Sequence, residues 1–98
     1  MQHNDALWRL VAGLEGRTVT TVRGRPFLVH SVSTDSVRVL VGPHHRQRSL
    51  DRSMLEEADT LPRTGGMLNP QSVRSAGLTE YDPAYVAGII NKVRATAA

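Results

Sequence analysis

Two adjacent histidines and three arginines lie in the stretch VGPHHRQRSLDR, residues 41–52, and both residue types can do chemistry. Histidine is a common metal ligand, and the arginine guanidinium forms bidentate hydrogen bonds with phosphates. His44 and His45 are neighbours, so their side chains diverge on a strand or in a tight turn, whereas metal ligands must converge. His30 could join one of them, but no aspartate, glutamate or cysteine is placed to complete a coordination shell. The sequence therefore predicts neither a metal site nor a cofactor.

The arginines around the predicted turns favour contacts with nucleic acid. Arg23 and Arg25 flank Gly24 in the stretch VRGRP, and Arg46 and Arg48 follow a Gly-Pro turn. Guanidinium groups bind phosphates and the edge of guanine, and a two-stranded β-ribbon fits the major groove. Basic residues also occur in turns simply because turns are solvated. The candidate nucleic-acid-binding residues are Arg23, Arg25, Arg38, His44, His45, Arg46, Arg48 and Arg52.

Catalytic patterns are missing from the sequence. Glu56, Glu57 and Asp59 lie at the start of one predicted helix, where the helix dipole and solvation explain them. No serine lies in a G-x-S-x-G elbow, and the stretch GLEGRT lacks the lysine of a phosphate-binding loop. We therefore expect that the protein is not an enzyme.

Composition indicates one small soluble domain, residues 1–98, which relies on packing alone. Apolar residues make up 40% and charged residues 21% of the 98, and there is no cysteine, so disulfides and thiolate zinc sites are excluded. The net charge is +3, and of the 12 basic side chains only Lys92 is a lysine. No apolar run is long enough to span a membrane, and the N-terminus lacks the features of a signal peptide. These observations predict a cytoplasmic protein.

The elements that carry the arginines follow from hydrophobic periodicity. Leu7, Leu10, Val11 and Leu14 mark one face of a helix over residues 5–15. Alternating β-branched residues then predict strands near 18–22, 27–33 and 37–41, with RQRSL as a plausible fourth. The sheet would occupy residues 17–50, and three short helices would follow at 54–61, 70–76 and 83–94. The fold class is α+β, with an antiparallel meander of three to four strands.

Three start signals precede the last helices. Ser53 and Glu56 form a predicted capping box, with Ser53 as the N-cap and Pro62 as the stop. Asn69 before Pro70, and Asp82 before Pro83, each combine a capping side chain with proline at the first helical position.

The first and third turns of a meander lie at the same end of the sheet, which would gather the turn arginines there. The register of the third hairpin has two alternatives. A GPHH loop pairs Arg46 with Val41 and Arg48 with Val39, so both arginines share the valine face. A loop one residue shorter places Arg38, Arg46 and Arg48 together on the solvent face. We predict the shorter loop, because burying two unpaired arginines costs several kcal/mol.

The last two predicted helices are arranged like a helix-turn-helix. However, the face of the last helix that would enter a DNA groove carries mostly small residues. Those residues are Ala84, Ala87, Gly88 and Asn91. Such a strip allows close approach of another helix, so we expect it to pack against the first helix or against a second subunit. A homodimer through this helix is therefore possible, and Trp8 is predicted to be exposed on the first helix.

Three motifs carry a family resemblance: the hairpin VRGRPF, the arginine-rich strand before the helix of RSLDRSMLEEADTL, and the stretch AYVAGI. In these motifs the chain resembles a small module of actinobacterial and actinophage proteins that is sometimes fused to restriction-type nucleases. The resemblance extends from about Leu14 to Val93 and implies a DNA-targeting accessory domain.

Together these observations predict a non-catalytic module that binds double-stranded DNA through arginine-bearing hairpin turns. The alternative is a protein-interaction module, such as a small subunit or a phage-encoded modulator, whose basic rim meets an acidic protein. Trp8 and the small-residue strip of the last helix would then form its contact surface.

Overall fold

A computed structural model describes residues 5–79 and 82–97. Over these residues the protein has the predicted α+β fold, in which one helix precedes an antiparallel sheet and three helices follow it. The sheet has four strands in the order β1-β2-β3-β4, which is a meander. In chain order the elements are α1 (Asp5–Ala12), β1 (Thr18–Thr20), β2 (Pro26–Val32), β3 (Ser36–Val41), β4 (Arg46–Asp51), α2 (Arg52–Asp59), α3 (Pro70–Ser75) and α4 (Pro83–Ala97).

One face of the sheet is buried against the helices. The inward positions alternate with outward ones along each strand, as a half-buried sheet requires. The core side chains of the strands are Val19, Phe27, Val29, Val37, Val39, Val41 and Leu50, and those of the helices include Leu7, Val11, Leu55, Ala58, Val73, Val86, Ile89 and Ile90. Each large side chain buried in this way contributes roughly 1.5–3 kcal/mol.

The first helix is shorter than the predicted 5–15. It ends at Ala12, and the chain then turns through bonds of the i to i+3 type, such as Leu14 N to Val11 O at 2.9 Å. Gly16 follows with a φ of +80° and donates its N–H to Val29 O at 2.7 Å. The turn thereby directs the chain into β1.

The register predicted for the third hairpin is wrong. β3 pairs with β4 through Val41↔Arg46 and Val39↔Arg48, so the loop is the four-residue Gly42–His45. The side chains of Arg46 and Arg48 therefore belong to the inward face, while Arg38 lies on the outward face. The burial cost that argued against this register is avoided because β4 is the edge strand: Arg46 is exposed and Arg48 is only half-buried.

A β-bulge shifts the pairing of β2 with β3. Val29 pairs with Val39 but Ser31 pairs with Arg38, so His30 is the extra residue. His30 is exposed as a result.

The predicted capping box of α2 is also wrong. The helix begins at Arg52 rather than at residue 54, its N-cap is Asp51, and Asp51 makes no side-chain capping bond. Glu56 instead accepts a hydrogen bond from Arg52 Nε at 3.3 Å. The helix ends at Asp59, before Pro62, where the Thr60 hydroxyl donates to Glu57 O at 2.7 Å.

The start signal of α3 is confirmed, since the Asn69 side chain accepts from Gln71 N at 2.8 Å. The last helix begins at Pro83, as predicted. It packs closely on the sheet at Gly88, where a Cβ atom would lie 3.1 Å from Phe27 Cε1 and 3.3 Å from Thr20 O. None of the helices described is long and apolar enough to cross a membrane.

Candidate nucleic-acid interface

The β1–β2 turn, residues 21–25, holds Arg23 and Arg25 in solvent. Thr21 closes the turn: its N–H donates to Arg25 O at 2.9 Å, and its hydroxyl accepts from Arg25 N at 3.1 Å. Gly24 donates to Thr21 O at 2.9 Å and has a φ of +88°, a conformation that glycine adopts without strain. Two exposed guanidinium groups are thus displayed on a turn with a defined backbone.

The β3–β4 turn, residues 42–45, displays His44 and His45 and leads into Arg46. The His45 N–H donates to Gly42 O at 3.2 Å. Gly42 has a φ of +74° and His45 a φ of +51°, which is uncommon for a side-chain-bearing residue. All three basic side chains of this segment are exposed.

The two turns lie at the same end of the sheet, because alternate hairpins of a meander turn at the same end. We call this region the basic end, and its members are Arg23, Arg25, His44, His45 and Arg46. Phe27 pairs with Val41, so the strands beside the two turns are adjacent. The centres of the turns are two strand spacings apart, or roughly 10 Å.

The opposite end of the sheet carries carboxylates. Asp35 lies in the β2–β3 turn, and Asp51 ends β4 opposite Ser36. Glu15 reaches the same end, where its Oε1 accepts from Val32 N at 2.8 Å. The carboxylates of this end and the exposed basic groups of the β1–β2 and β3–β4 turns therefore lie at opposite ends of the strands.

Arg52 does not belong to this interface, although the sequence placed it among the binding residues. Its Nη2 donates to Asp5 Oδ1 at 2.8 Å, its Nη1 donates to Thr34 O at 3.1 Å, and its Nε donates to Glu56. The guanidinium also lies 5.0 Å from the ring centroid of Trp8, in a cation–π contact. Arg52 is buried, so its role is to join α1, α2 and the β2–β3 turn.

Burial alone would lower the pKa of Arg52, but the hydrogen bonds to Asp5 and Glu56 outweigh it and raise the pKa. The charges of the two carboxylates act in the same direction. The cation is thus held by acidic partners inside the chain rather than offered to a ligand.

Arg48 and Arg38 are also separated from the basic end. Arg48 Nε lies 3.4 Å from Asp82 Oδ1, and this ion pair links the edge strand to the start of α4. Among the described residues, Asp82 Oδ1 has no hydrogen-bond partner. The Asp82 side chain is only 13% exposed. Arg38 pairs with Ser49 on the outward face of the sheet, two residues from the end of β3 that meets the acidic turn.

A second intramolecular cluster forms where α2 meets α4. Asp59 accepts hydrogen bonds from Arg63 Nη2 at 3.0 Å and from Arg94 Nε at 2.8 Å. The hydrogen bond from Arg94 lowers the pKa of the Asp59 carboxyl, burial opposes this shift, and the charges of both arginines lower the pKa further. Arg63 also donates to Leu61 O at 3.0 Å, beyond the last turn of α2.

Arg74 is a basic residue that the sequence analysis did not select. It lies on α3, and the fold brings it to a cleft of about 560 Å³ that Arg23 and Arg25 also line. Only the docking of α3 beside the β1–β2 turn joins these residues, and local sequence spacing carries no signal of that docking. Within the described part of the chain, none of the three arginines forms a salt bridge.

The surface predicted for the protein-interaction alternative is buried. Trp8 is only 7% exposed, and its Nε1 donates to Ser33 O at 2.8 Å, so its predicted exposure is wrong. Ala87 is fully buried, and Gly88 contacts the sheet. The Asn91 amide exchanges two hydrogen bonds with the backbone of Leu68, at 2.7 and 3.0 Å. The strip expected to support a homodimer is therefore used inside the subunit.

Over residues 5–79 and 82–97, no group of three or more histidine, aspartate or glutamate side chains is placed to hold a metal ion. His44 and His45 lie in the exposed β3–β4 turn, and His30 lies in the bulge of β2.

No protein-family model matches the chain, and neither the curated proteins nor the solved structures contain a significant match to it. The resemblance to an actinobacterial and actinophage module therefore stays a prediction, and the functional argument depends on the geometry of the chain itself.

Proposed function

We propose that this protein is a non-catalytic module that binds double-stranded DNA through its basic end. The observation that carries the proposal is the placement of Arg23, Arg25 and Arg46 at one end of the sheet, exposed and without acidic partners among the described residues. Elsewhere the arginines that pack against the body of the protein have carboxylates beside them. Among the described residues, the basic end thus brings together several cations that no carboxylate neutralises.

The spacing of the two turns suits a DNA backbone. A separation of roughly 10 Å between turn centres is large enough for the two turns to contact different phosphates of one DNA strand. Arginines in the two turns can therefore contact phosphates of the same strand, with His44 and His45 beside them. Such contacts fix the position of the protein on the duplex without reading its sequence.

Base reading, where it occurs, belongs to Arg25 or Arg46. Both side chains are exposed at the ends of hairpins, and an arginine fork matches the O6 and N7 atoms of guanine. Arg48 is also among the binding residues that the sequence predicts, but its ion pair with Asp82 holds it at the side of α4. The proposal therefore assigns specificity to the turns and not to the interior of β4.

The test is a titration of a random-sequence duplex at several salt concentrations between about 50 and 200 mM. We expect the variant Arg25→Ala/Arg46→Ala to flatten the slope of log K against log salt by about 2 units. The matched control is Arg17→Ala/Arg38→Ala, which removes the same charge outside the basic end and should leave most of the affinity. Equal losses in the two variants, or no duplex affinity of the parent protein near 50 mM salt, would refute the proposal.

An acidic protein partner is the remaining alternative for the same surface. Polyglutamate of matched length serves as its probe in the same titration, because it has carboxylates but neither phosphates nor bases. The DNA proposal predicts that duplex binds more tightly than polyglutamate at equal charge. Tighter binding of polyglutamate would assign the basic end to a protein.

A further inference from the structure

A cleft of about 560 Å³ lies between the β1–β2 turn and the first turns of α3 and α4. One wall is the turn with Thr21, Arg23 and Arg25, and the other wall is formed by α3 with Arg74 and by α4 with Tyr85. The volume falls within the range of small-molecule sites in proteins, which is about 300–1,000 Å³. The cleft is therefore large enough for one nucleotide.

Among the described residues, the charged groups of the cleft have a single sign. Its described lining consists of Thr21, Val22, Arg23, Arg25, Asn69, Pro70, Gln71, Arg74, Pro83, Ala84 and Tyr85, and none of these is acidic. The three arginines come from two segments, the β1–β2 turn and α3, and the fold brings them to one concave space, where like charges repel. An anion between them removes that repulsion and gives each guanidinium a hydrogen-bond acceptor.

The neutral lining suits the rest of a nucleotide. Tyr85 is half-buried, and its ring contacts Phe27 edge-to-face, with a centroid distance of 5.2 Å and an interplanar angle of 73°. This contact fixes the ring in the wall of the cleft, where it can contact a sugar or stack on a base. Gln71 supplies an amide that can donate to or accept from the same ligand.

We propose that this cleft binds a terminal phosphate of a nucleotide, with Arg23, Arg25 and Arg74 around the phosphate and Tyr85 beside the nucleoside. A phosphate monoester carries a charge of about −1.5 to −2 near pH 7, compared with about −1 for a phosphate within a strand. A cleft lined by three arginines therefore favours the monoester. The backbone of an intact duplex is convex and fits a cleft poorly, whereas the end of a strand can enter it.

Two sources supply this chemistry: the phosphorylated 5′ end of a DNA strand, and a free nucleoside monophosphate. The first source depends on the proposed DNA binding, and the second does not. The role of Arg74 goes beyond that proposal, because Arg74 lies outside the two hairpin turns.

The experiment compares short duplexes that end in a 5′ phosphate or a 5′ hydroxyl, each with a single-stranded 5′ overhang, alongside a nucleoside monophosphate. We expect the phosphorylated end to bind about tenfold more tightly than the hydroxyl end. This preference should disappear in Arg74→Ala and be partly retained in Arg74→Lys, which keeps the charge but loses the fork. Arg17→Ala is the matched control, and it should keep the preference.

The outcomes separate the two proposals. The proposed phosphate site in the cleft is wrong if the parent protein binds the 5′-phosphate and 5′-hydroxyl ends equally, or if Arg74→Ala keeps the preference. Either result counts against the site even where binding to internal duplex persists. Tight binding of the free monophosphate that Arg74→Ala abolishes supports the cleft and identifies the free nucleotide as the source, even where duplex binding is absent. Because Arg74 is an exposed side chain, the melting temperatures of its variants should match that of the parent protein, which checks that a lost preference is not a loss of folding.

Discussion

The arginines of the basic end and the arginine between α1 and α2 have the same chemistry and opposite surroundings. Arg52 contacts a carboxylate from α1, a carboxylate from α2, a turn carbonyl and a tryptophan ring. Arg23 and Arg25 have no such partners in the described residues and are exposed. Position in the chain does not distinguish them, since each stands beside a turn or a helix start.

This difference indicates how the protein divides its arginines between folding and binding. A guanidinium surrounded by carboxylates is held by the fold, and its removal takes away several ion pairs and hydrogen bonds at once. A guanidinium without partners contributes little to stability, and its field is available to an external anion. The clusters around Arg52 and Asp59 belong to the first kind, and the basic end with Arg74 belongs to the second.

The largest expected effect is on stability, in Arg52→Met. This change removes the cation–π contact and the hydrogen bonds to Asp5, Thr34 and Glu56 together. We expect a larger fall in melting temperature than for any other single arginine substitution, with an unchanged salt slope of DNA binding at temperatures where the variant is folded. Arg9→Met, an exposed position on α1, is the control in thermal denaturation. Similar melting temperatures for Arg52→Met and Arg9→Met would contradict the assignment of Arg52 to folding.

The second prediction concerns the basic end and has the opposite signature. The variant Arg23→Ala/Arg25→Ala/Arg46→Ala should melt within about 3 °C of the parent protein, because exposed substitutions change stability little. Its duplex affinity should fall, with a salt slope lower by about 3 units. Circular dichroism and a binding titration on the same sample check the two parts. A large loss of stability would show that these arginines also hold the fold together.

The sequence predicted the elements well, because hydrophobic periodicity is a local property. The alternation in PFLVHSV and SVRVLV and the Asn69–Pro70 start signal each depend on neighbouring residues, and the structure shows the elements they predict. The predicted first residue of α2 was wrong because two signals compete at this position. Ser53 and Glu56 match a capping box, which predicts a start after Ser53. The hydrogen bonds of Arg52 to Asp5 and Thr34 instead hold Arg52 in the first turn of the helix.

The candidate site was predicted only in part, because side-chain pairing is not local. The clustering of Arg23, Arg25 and Arg46 follows from meander topology alone. The pairing of Arg48 with Asp82 and the presence of Arg74 at the cleft depend on how α3 and α4 dock, which periodicity does not specify. The register error had the same origin, since the acid that makes an inward Arg48 tolerable lies 34 residues later in the sequence.

A third prediction concerns the acidic partner in the second arginine cluster. Asp59→Asn should lower the free energy of unfolding at pH 7 by about 1–2 kcal/mol, because the charge-assisted hydrogen bonds from Arg63 and Arg94 are weakened. The folded state lowers the pKa of the Asp59 carboxyl, so its contribution is present above the unfolded pKa and is lost as the pH falls through the folded pKa. The gap between parent and variant in urea denaturation should therefore narrow below about pH 4.

The control for this prediction is Glu57→Gln, an exposed carboxylate on the same helix. It should cause little change at either pH. A gap between the parent protein and Asp59→Asn that stays constant from neutral to acid pH would contradict the assignment.

The smallest expected effect tests the backbone of the β3–β4 turn. His45 has a φ of +51°, so His45→Gly should raise the free energy of unfolding by about 0.5–1 kcal/mol through relief of strain. His44→Gly lacks that benefit and serves as the control. Duplex affinity should change little in His45→Gly, because the neighbouring Arg46 is retained. A decrease in stability would place His45 in a contact that the turn geometry does not show.

The most direct test of the account is a map of backbone amide chemical shifts during titration with a random-sequence duplex at low salt. The account predicts that the shifts concentrate in residues 21–25 and 42–46, with smaller changes around Arg74. The β2–β3 turn and the amides near Arg52 should stay constant, because that end is acidic and its arginine is already paired. Shifts centred on the β2–β3 turn or on α1 and α2, with the two basic turns unchanged, would contradict the central claim that the unpaired arginines form the binding surface.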